Sequence, residues 1–239
     1  MSLQVQNRDI SAVSDNLKRI IYDIEQAKAK YRKPDDDVRV MAVTKTVDVD
    51  SINFVIENGI TLLGENRVQE YLEKYESYSK AADVHFIGHL QTNKVKYIID
   101  KVSMIESVDS IKLADEINKQ ALKHNMVMPI LIEVNAGNEI SKSGIEPEKA
   151  FELCKYCADL PGVVVNGLMA IPPIGANEAI YEKMYSLYLD IMSKKVDNIN
   201  MKILSIGMSG DYETAIKYGS NLVRIGSKLF GARKYMEVL

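Results

Sequence analysis

The fold class that the sequence predicts is a (β/α)8 TIM barrel with an extra N-terminal helix. Three observations predict it. The chain of 239 residues has the length of one large α/β domain. Eight short apolar runs alternate with helix-spaced segments along it. Those runs are apolar on both faces, as parallel strands buried between two layers must be. Eight such units in about 200 residues sit at the low end for a barrel, and a doubly wound open sheet is the alternative built from the same parts.

In chain order, Ile10, Val13, Leu17, Ile20, Ile21 and Ile24 recur at helical spacing and predict an opening amphipathic helix. The strand-like runs follow at 38–43, 61–64, 84–87, 103–105, 129–134, 163–171, 202–206 and 222–225. Between them Ile111, Ala114, Ile117, Ala121 and Leu122 mark a helix, and Ser110 and Asp211 stand where N-caps belong. Pro172-Pro173 and Gly175 read as a loop at one strand–helix junction. No low-complexity tract or Gly/Ser linker divides the chain, so residues 1–239 read as a single domain.

Charge and composition exclude several functions. Thirty Lys plus Arg against 33 Asp plus Glu leave a net charge of −3, which does not suit nucleic-acid binding through bulk positive charge. With 46% apolar and 26% charged residues the composition is globular, not disordered. No apolar run approaches the roughly 20 residues of a membrane span. The opening MSLQVQNRD lacks the pattern of an export signal. Two cysteines make no disulfide scaffold, and a cytoplasmic setting is expected, with no membrane and no nucleic acid as partner.

Chemistry in a parallel barrel gathers at the carboxyl ends of the strands. Those ends carry Lys45, Asn66, His89, Glu106 with Ser107, Asn135, Met169, Ser209, and finally Arg224 with Gly226 and Ser227. Met41, Val43 and Lys45 share one face by period-two alternation. If the first two point into the barrel, the lysine stands at its rim, where a desolvated amine is suited to attack an aldehyde. The other reading is a lysine that has passed the strand end into solvent. Glycines beside hydroxyls in SIGMSGD (205–211) and VRIGS (223–227) suit a phosphate, or else make only tight turns. Arg224 alternates with Leu222 and Gly226 and so projects into the same mouth, or serves a structural ion pair.

His85 and His89 share a strand face but have no evident third ligand, so no metal is expected. His85 reads as a satisfied core or surface histidine. Cys154 and Cys157 lie on the apolar face of a helical run and read as packing. The same holds for the stripe Tyr181, Met184, Tyr185, Tyr188 and Met192.

Six stretches carry a resemblance: AVTKT at 42–46, GENRVQE at 64–70, HFIGHLQTNK at 85–94, VNAGNEISKSGI at 134–145, GLMAIPP at 167–173 and LSIGMSGDYETAIKYGSNLVRIGSKLFGAR at 204–233. With them the chain resembles the pyridoxal 5′-phosphate (PLP) homeostasis proteins, which share the barrel of alanine racemase. The resemblance implies that Lys45 carries PLP as a Schiff base. It further implies that Ser209, Gly226 and Ser227 hold the phosphate, that Arg224 faces the pyridine nitrogen, and that Asn66, His89 and Met169 line the pocket. Departures are Thr44 where the family often has serine, Ile206 where it often has methionine, and Asn221 where threonine is frequent. A carrier is implied rather than an enzyme, and no catalytic residue is assigned. Arginine has only donors, so it keeps the ring nitrogen unprotonated and the electron sink weak. The added β domain that supplies the racemases with a second acid–base tyrosine is not expected here. PLP-dependent apo-enzymes are the expected partners and a monomer the expected state. The alternatives are a weak PLP-dependent racemase or related enzyme, and a phosphosugar-binding barrel.

Overall fold

The computed structural model describes residues 8–137 and 143–232. The chain runs α1 (Ile10–Tyr31), β1 (Arg39–Val43), α2 (Val49–Glu57), β2 (Leu62–Glu65), α3 (Val68–Lys74), β3 (Asp83–Phe86), α4 (Val95–Ile98), β4 (Met104–Val108) and α5 (Ile111–Lys123). It continues through β5 (Met128–Val134), α6 (Ala150–Ala158), β6 (Val163–Ala170), α7 (Glu178–Ser193), β7 (Ile199–Met208), α8 (Tyr212–Lys217), β8 (Leu222–Ile225) and α9 (Ser227–Phe230). Consecutive strands pair in parallel and β8 returns to β1, with Met41 opposite Arg224. The sheet is a closed barrel, which removes the open-sheet alternative.

Alternation along each strand explains why the runs are apolar on both faces. Ala42, Leu63, Phe86, Ile105, Ile132, Leu204 and Val223 face outward and share one core with the buried sides of the helices. Inward, Met41, Leu62, Ile87 and Leu222 form one cluster and Met104, Leu131 and Met169 another, with Val43 and Ile203 packed against them. Helix starts are fixed locally: Asp9, Asp48 and Ser110 accept from the amides of Ser11, Ser51 and Leu113.

Several details differ from the sequence expectation. β4 runs on to Val108, so Glu106 and Ser107 lie within the strand, not beyond it. Asp211 precedes α8 without capping it; its carboxylate accepts from Met208 N at 2.5 Å and from the Tyr181 hydroxyl at 2.7 Å. The buried face of α5 is Leu113, Ala114, Ile117, Gln120 and Ala121, leaving Ile111 and Leu122 exposed. Ile21 and Met192 are exposed likewise, because each sits about 100° round its helix from a buried neighbour, Ile20 or Ile191. The two cysteines pack inside α6 as expected, and burial pushes both thiols up to about 12. Among the described residues no helix is long and apolar enough to cross a membrane.

α1 lies against α8 and α9. Asn16 donates to Leu229 O at 3.1 Å and Arg8 to Phe230 O at 2.9 Å, while Lys228 pairs with Asp23 at 2.9 Å. The additional N-terminal helix is thereby fastened to the short helix that follows β8.

Candidate functional site

β1 delivers Val43 to the lumen side, and Lys45, two positions on in the turn that follows the strand, is half-buried. Gly226 follows the adjacent strand β8, and a Cβ there would come within 3.4 Å of Val43 Cβ. From the end of β7, the Ser209 hydroxyl accepts hydrogen bonds from Gly226 N and Lys228 N, both at 3.2 Å. Two main-chain donors at the start of α9 therefore converge on a single oxygen. That is the donor arrangement an anionic oxygen requires.

Below this rim a chain of polar groups crosses the lumen. The Arg224 guanidinium is buried and donates to Ser205 O at 2.7 Å, Ser205 Oγ at 2.6 Å and Ala170 O at 2.8 Å. Ser205 Oγ donates to Glu106 Oε2 at 2.6 Å, and Glu106 Oε1 lies 2.6 Å from His85 Nδ1. β4 and β7 are not neighbours, nor are β6 and β8, so these bonds span the interior. Burial works to raise the Glu106 carboxyl, but the His85 hydrogen bond and the nearby Arg224 charge outweigh it and hold the group below its ordinary value. Burial likewise disfavours the Arg224 charge, against Glu106, Glu133 and Asp211; a guanidinium remains protonated regardless. Glu133, with the inward parity of Leu131, is pushed up to about 7 by burial and by Asp109, against the pull of Arg224.

The structure thus gathers Lys45, Ser209, Arg224, Gly226 and Ser227 around the ends of β7, β8 and β1. Asn66 stands one strand further round, after β2, half-buried; a Cβ on Gly88 would lie 2.0 Å from its carbonyl oxygen, so the ends of β2 and β3 interlock there. His89 is exposed just past β3, whereas His85 is buried in the lumen beside Glu106. No cluster of metal-ligating side chains occurs among the described residues. Met169, level in register with Glu133 and Ser205, is buried against Met104 and Leu131. Residues 138–142 of the fourth resembling stretch, Arg233 of the last and the opening residues 1–7 lie outside the described residues.

The lumen network is what sequence reasoning missed. The Glu133 signal was available: it breaks an apolar run at a position sharing parity with Leu131. That Glu106 and Ser205 meet gave no such signal, since they are 99 residues apart in the chain.

An amine at the rim, main-chain donors and a hydroxyl converging on one point, and a fixed cation below them form a coherent donor set. It fits a small molecule bearing a carbonyl, an anionic group and an acceptor between the two. Comparison with known proteins agrees in kind. The family model for the alanine racemase N-terminal domain matches residues 16–234. The chain is 43% identical over 227 residues to the pyridoxal phosphate homeostasis protein of Aquifex aeolicus, covering 92% of this chain and 98% of that one. It is 36% identical over 230 residues to the protein of the same name from Haemophilus influenzae, covering 93% and 97%. PipY of Synechococcus elongatus, solved with PLP bound, matches with a TM-score of 0.77 at 25% identity, over 90% of this chain and 100% of PipY.

Proposed function

The chain belongs to the alanine racemase N-terminal-domain family and, within it, to the pyridoxal phosphate homeostasis proteins, and on that premise we propose that it binds PLP reversibly at the carboxyl mouth of the barrel and helps control the supply of the free cofactor. The observation that carries the reading is the convergence of Gly226 N and Lys228 N on Ser209 Oγ, next to the strand that presents Lys45.

When bound, PLP would supply an aldehyde that a lysine amine can hold reversibly. Lys45 provides that amine. Ser209, Gly226 and Ser227 would hold the phosphate, beside the Gly226 and Lys228 amides that converge on Ser209 Oγ. Arg224 would face the ring nitrogen, and Asn66, His89 and Met169 would line the remainder. Because Arg224 is fixed by Ser205 and Ala170 and offers only donors, it keeps a proton off that nitrogen. A deprotonated ring is a weak electron sink, which supports a carrier without a catalytic residue. The proposed setting is cytoplasmic, with unbridged, buried Cys154 and Cys157 in keeping with it, and the proposed state is a monomer that delivers PLP to apo-enzymes.

Borohydride reduction of PLP-loaded protein, followed by peptide mapping, is expected to find the pyridoxyl group on the peptide containing Lys45. Lys45→Ala is expected to lose the visible chromophore and keep its far-UV circular dichroism. A pyridoxyl group on another lysine overturns the assignment.

A further inference from the structure

Behind the Lys45 loop, on the outer face of the barrel, lies a buried polar cluster that takes no part in the cofactor site. Lys74, at the end of α3, donates from Nζ to Thr44 O at 3.1 Å, to Val47 O at 3.3 Å and to Glu70 Oε1 at 2.7 Å. The same Glu70 oxygen accepts from Thr46 N at 2.5 Å. Glu65 Oε1 accepts from Thr44 Oγ1 at 2.6 Å and from the Tyr78 hydroxyl at 2.5 Å, and stands 3.9 Å from Lys74 Nζ. Thr44, Thr46 and Val47, three residues of the 44–47 turn, are tied by hydrogen bonds to this cluster.

The cost of the arrangement points to a purpose. Glu70 and Lys74 are an i,i+4 pair, which on a helix surface contributes little. Here both side chains are less than 10% exposed, so the charges bear a desolvation penalty as well. Thr46 has φ 59°, a left-handed conformation that is a strained outlier for a β-branched residue. Thr46 Oγ1, Glu65 Oε2 and Glu70 Oε2 are buried with no partner among the described residues. A simple strand–helix connection has no need of such burial or strain.

We propose that Lys74 and Glu70 are positioning residues for the cofactor lysine: together they clamp the 44–47 turn so that the Lys45 amine meets the aldehyde carbon of PLP. The proposal rests on Lys45 being the point of attachment. In that step a carbon–nitrogen double bond replaces the aldehyde's carbon–oxygen double bond, and the oxygen leaves as water with the two amine protons. Lys74 stays outside the reaction, its three donors already directed at Thr44 O, Val47 O and Glu70.

The test compares PLP with pyridoxine 5′-phosphate, which has the same phosphate and ring but an alcohol in place of the aldehyde. Full-length wild type, Lys74→Met, Lys74→Arg and Glu70→Gln are titrated with both. For Lys74→Met the chromophore is expected to form on the order of 10- to 100-fold more slowly, the scale of a misplaced reacting group. PLP affinity is expected to fall and pyridoxine 5′-phosphate affinity to hold, with Lys74→Arg restoring part of the rate. Glu70→Gln, which keeps an acceptor for Thr46 N, should show a smaller loss of the same kind and carries the test if Lys74→Met does not fold. Wild-type rates in the folded variants, or equal loss of both ligands, overturn the positioning role while Lys45 remains the labelled residue. A borohydride label on a different lysine in wild type overturns the attachment site, and the positioning role with it.

Discussion

Ser209 is where a single hydroxyl decides most. In the ligand-free arrangement it satisfies two amides that no helical carbonyl can reach, because the first N–H groups of a helix have no partner within it. Its own place is set by Asp211, which ties down Met208 N in the same turn. A phosphate oxygen entering here takes over those amides and gains the hydroxyl as a further donor. Ser209→Ala is therefore expected to weaken PLP retention by about 1–3 kcal/mol, the range of a lost hydrogen bond to a charged group. Titration of the visible chromophore measures it. Affinity equal to wild type would put the phosphate at another part of the rim.

At the scale of elements the phosphate region depends on α1. α9 has four residues, too few to hold a helical turn by its own hydrogen bonds. Its last carbonyls are taken by Asn16 and Arg8, and Lys228 is drawn to Asp23. Asn16→Ala is expected to cost about 1 kcal/mol, concentrated in faster amide exchange at 227–230 with β3 and β4 unchanged. Uniformly raised exchange would mean that α1 supports the barrel as a whole. The eight strands were legible in the sequence because both faces of each are apolar, and parity then put Arg224 on the lumen side. What could not be read was which polar groups would meet. Ser205 and Glu106 are joined only by barrel closure, and Glu70–Lys74 has the spacing of an ordinary exposed pair. Only the seating of α3 against Thr44 and Val47 buries it.

At the scale of the whole molecule, two buried carboxyl groups in the lumen make stability depend on pH in opposite directions. Glu106 is held below its ordinary value, so its stabilising contribution is present above the unfolded carboxyl value of 4.5 and is lost as the pH falls below it. Glu133 is the reverse. Raised from 4.5 to about 7 by burial, it is protonated in the folded state and ionised in the unfolded one between those values. Folded protein then binds the extra proton, and stability falls as the pH rises through that window, by about 3 kcal/mol in all. Glu133→Gln keeps the shape and removes the titration. Urea unfolding of apo-protein at pH 5 and pH 8 is therefore expected to show wild type losing more stability than the variant on going to the higher pH, with the two most alike at pH 5. Parallel losses in both proteins would mean that Glu133 ionises inside the barrel without penalty, through solvation or a shift of the Arg224 guanidinium toward it.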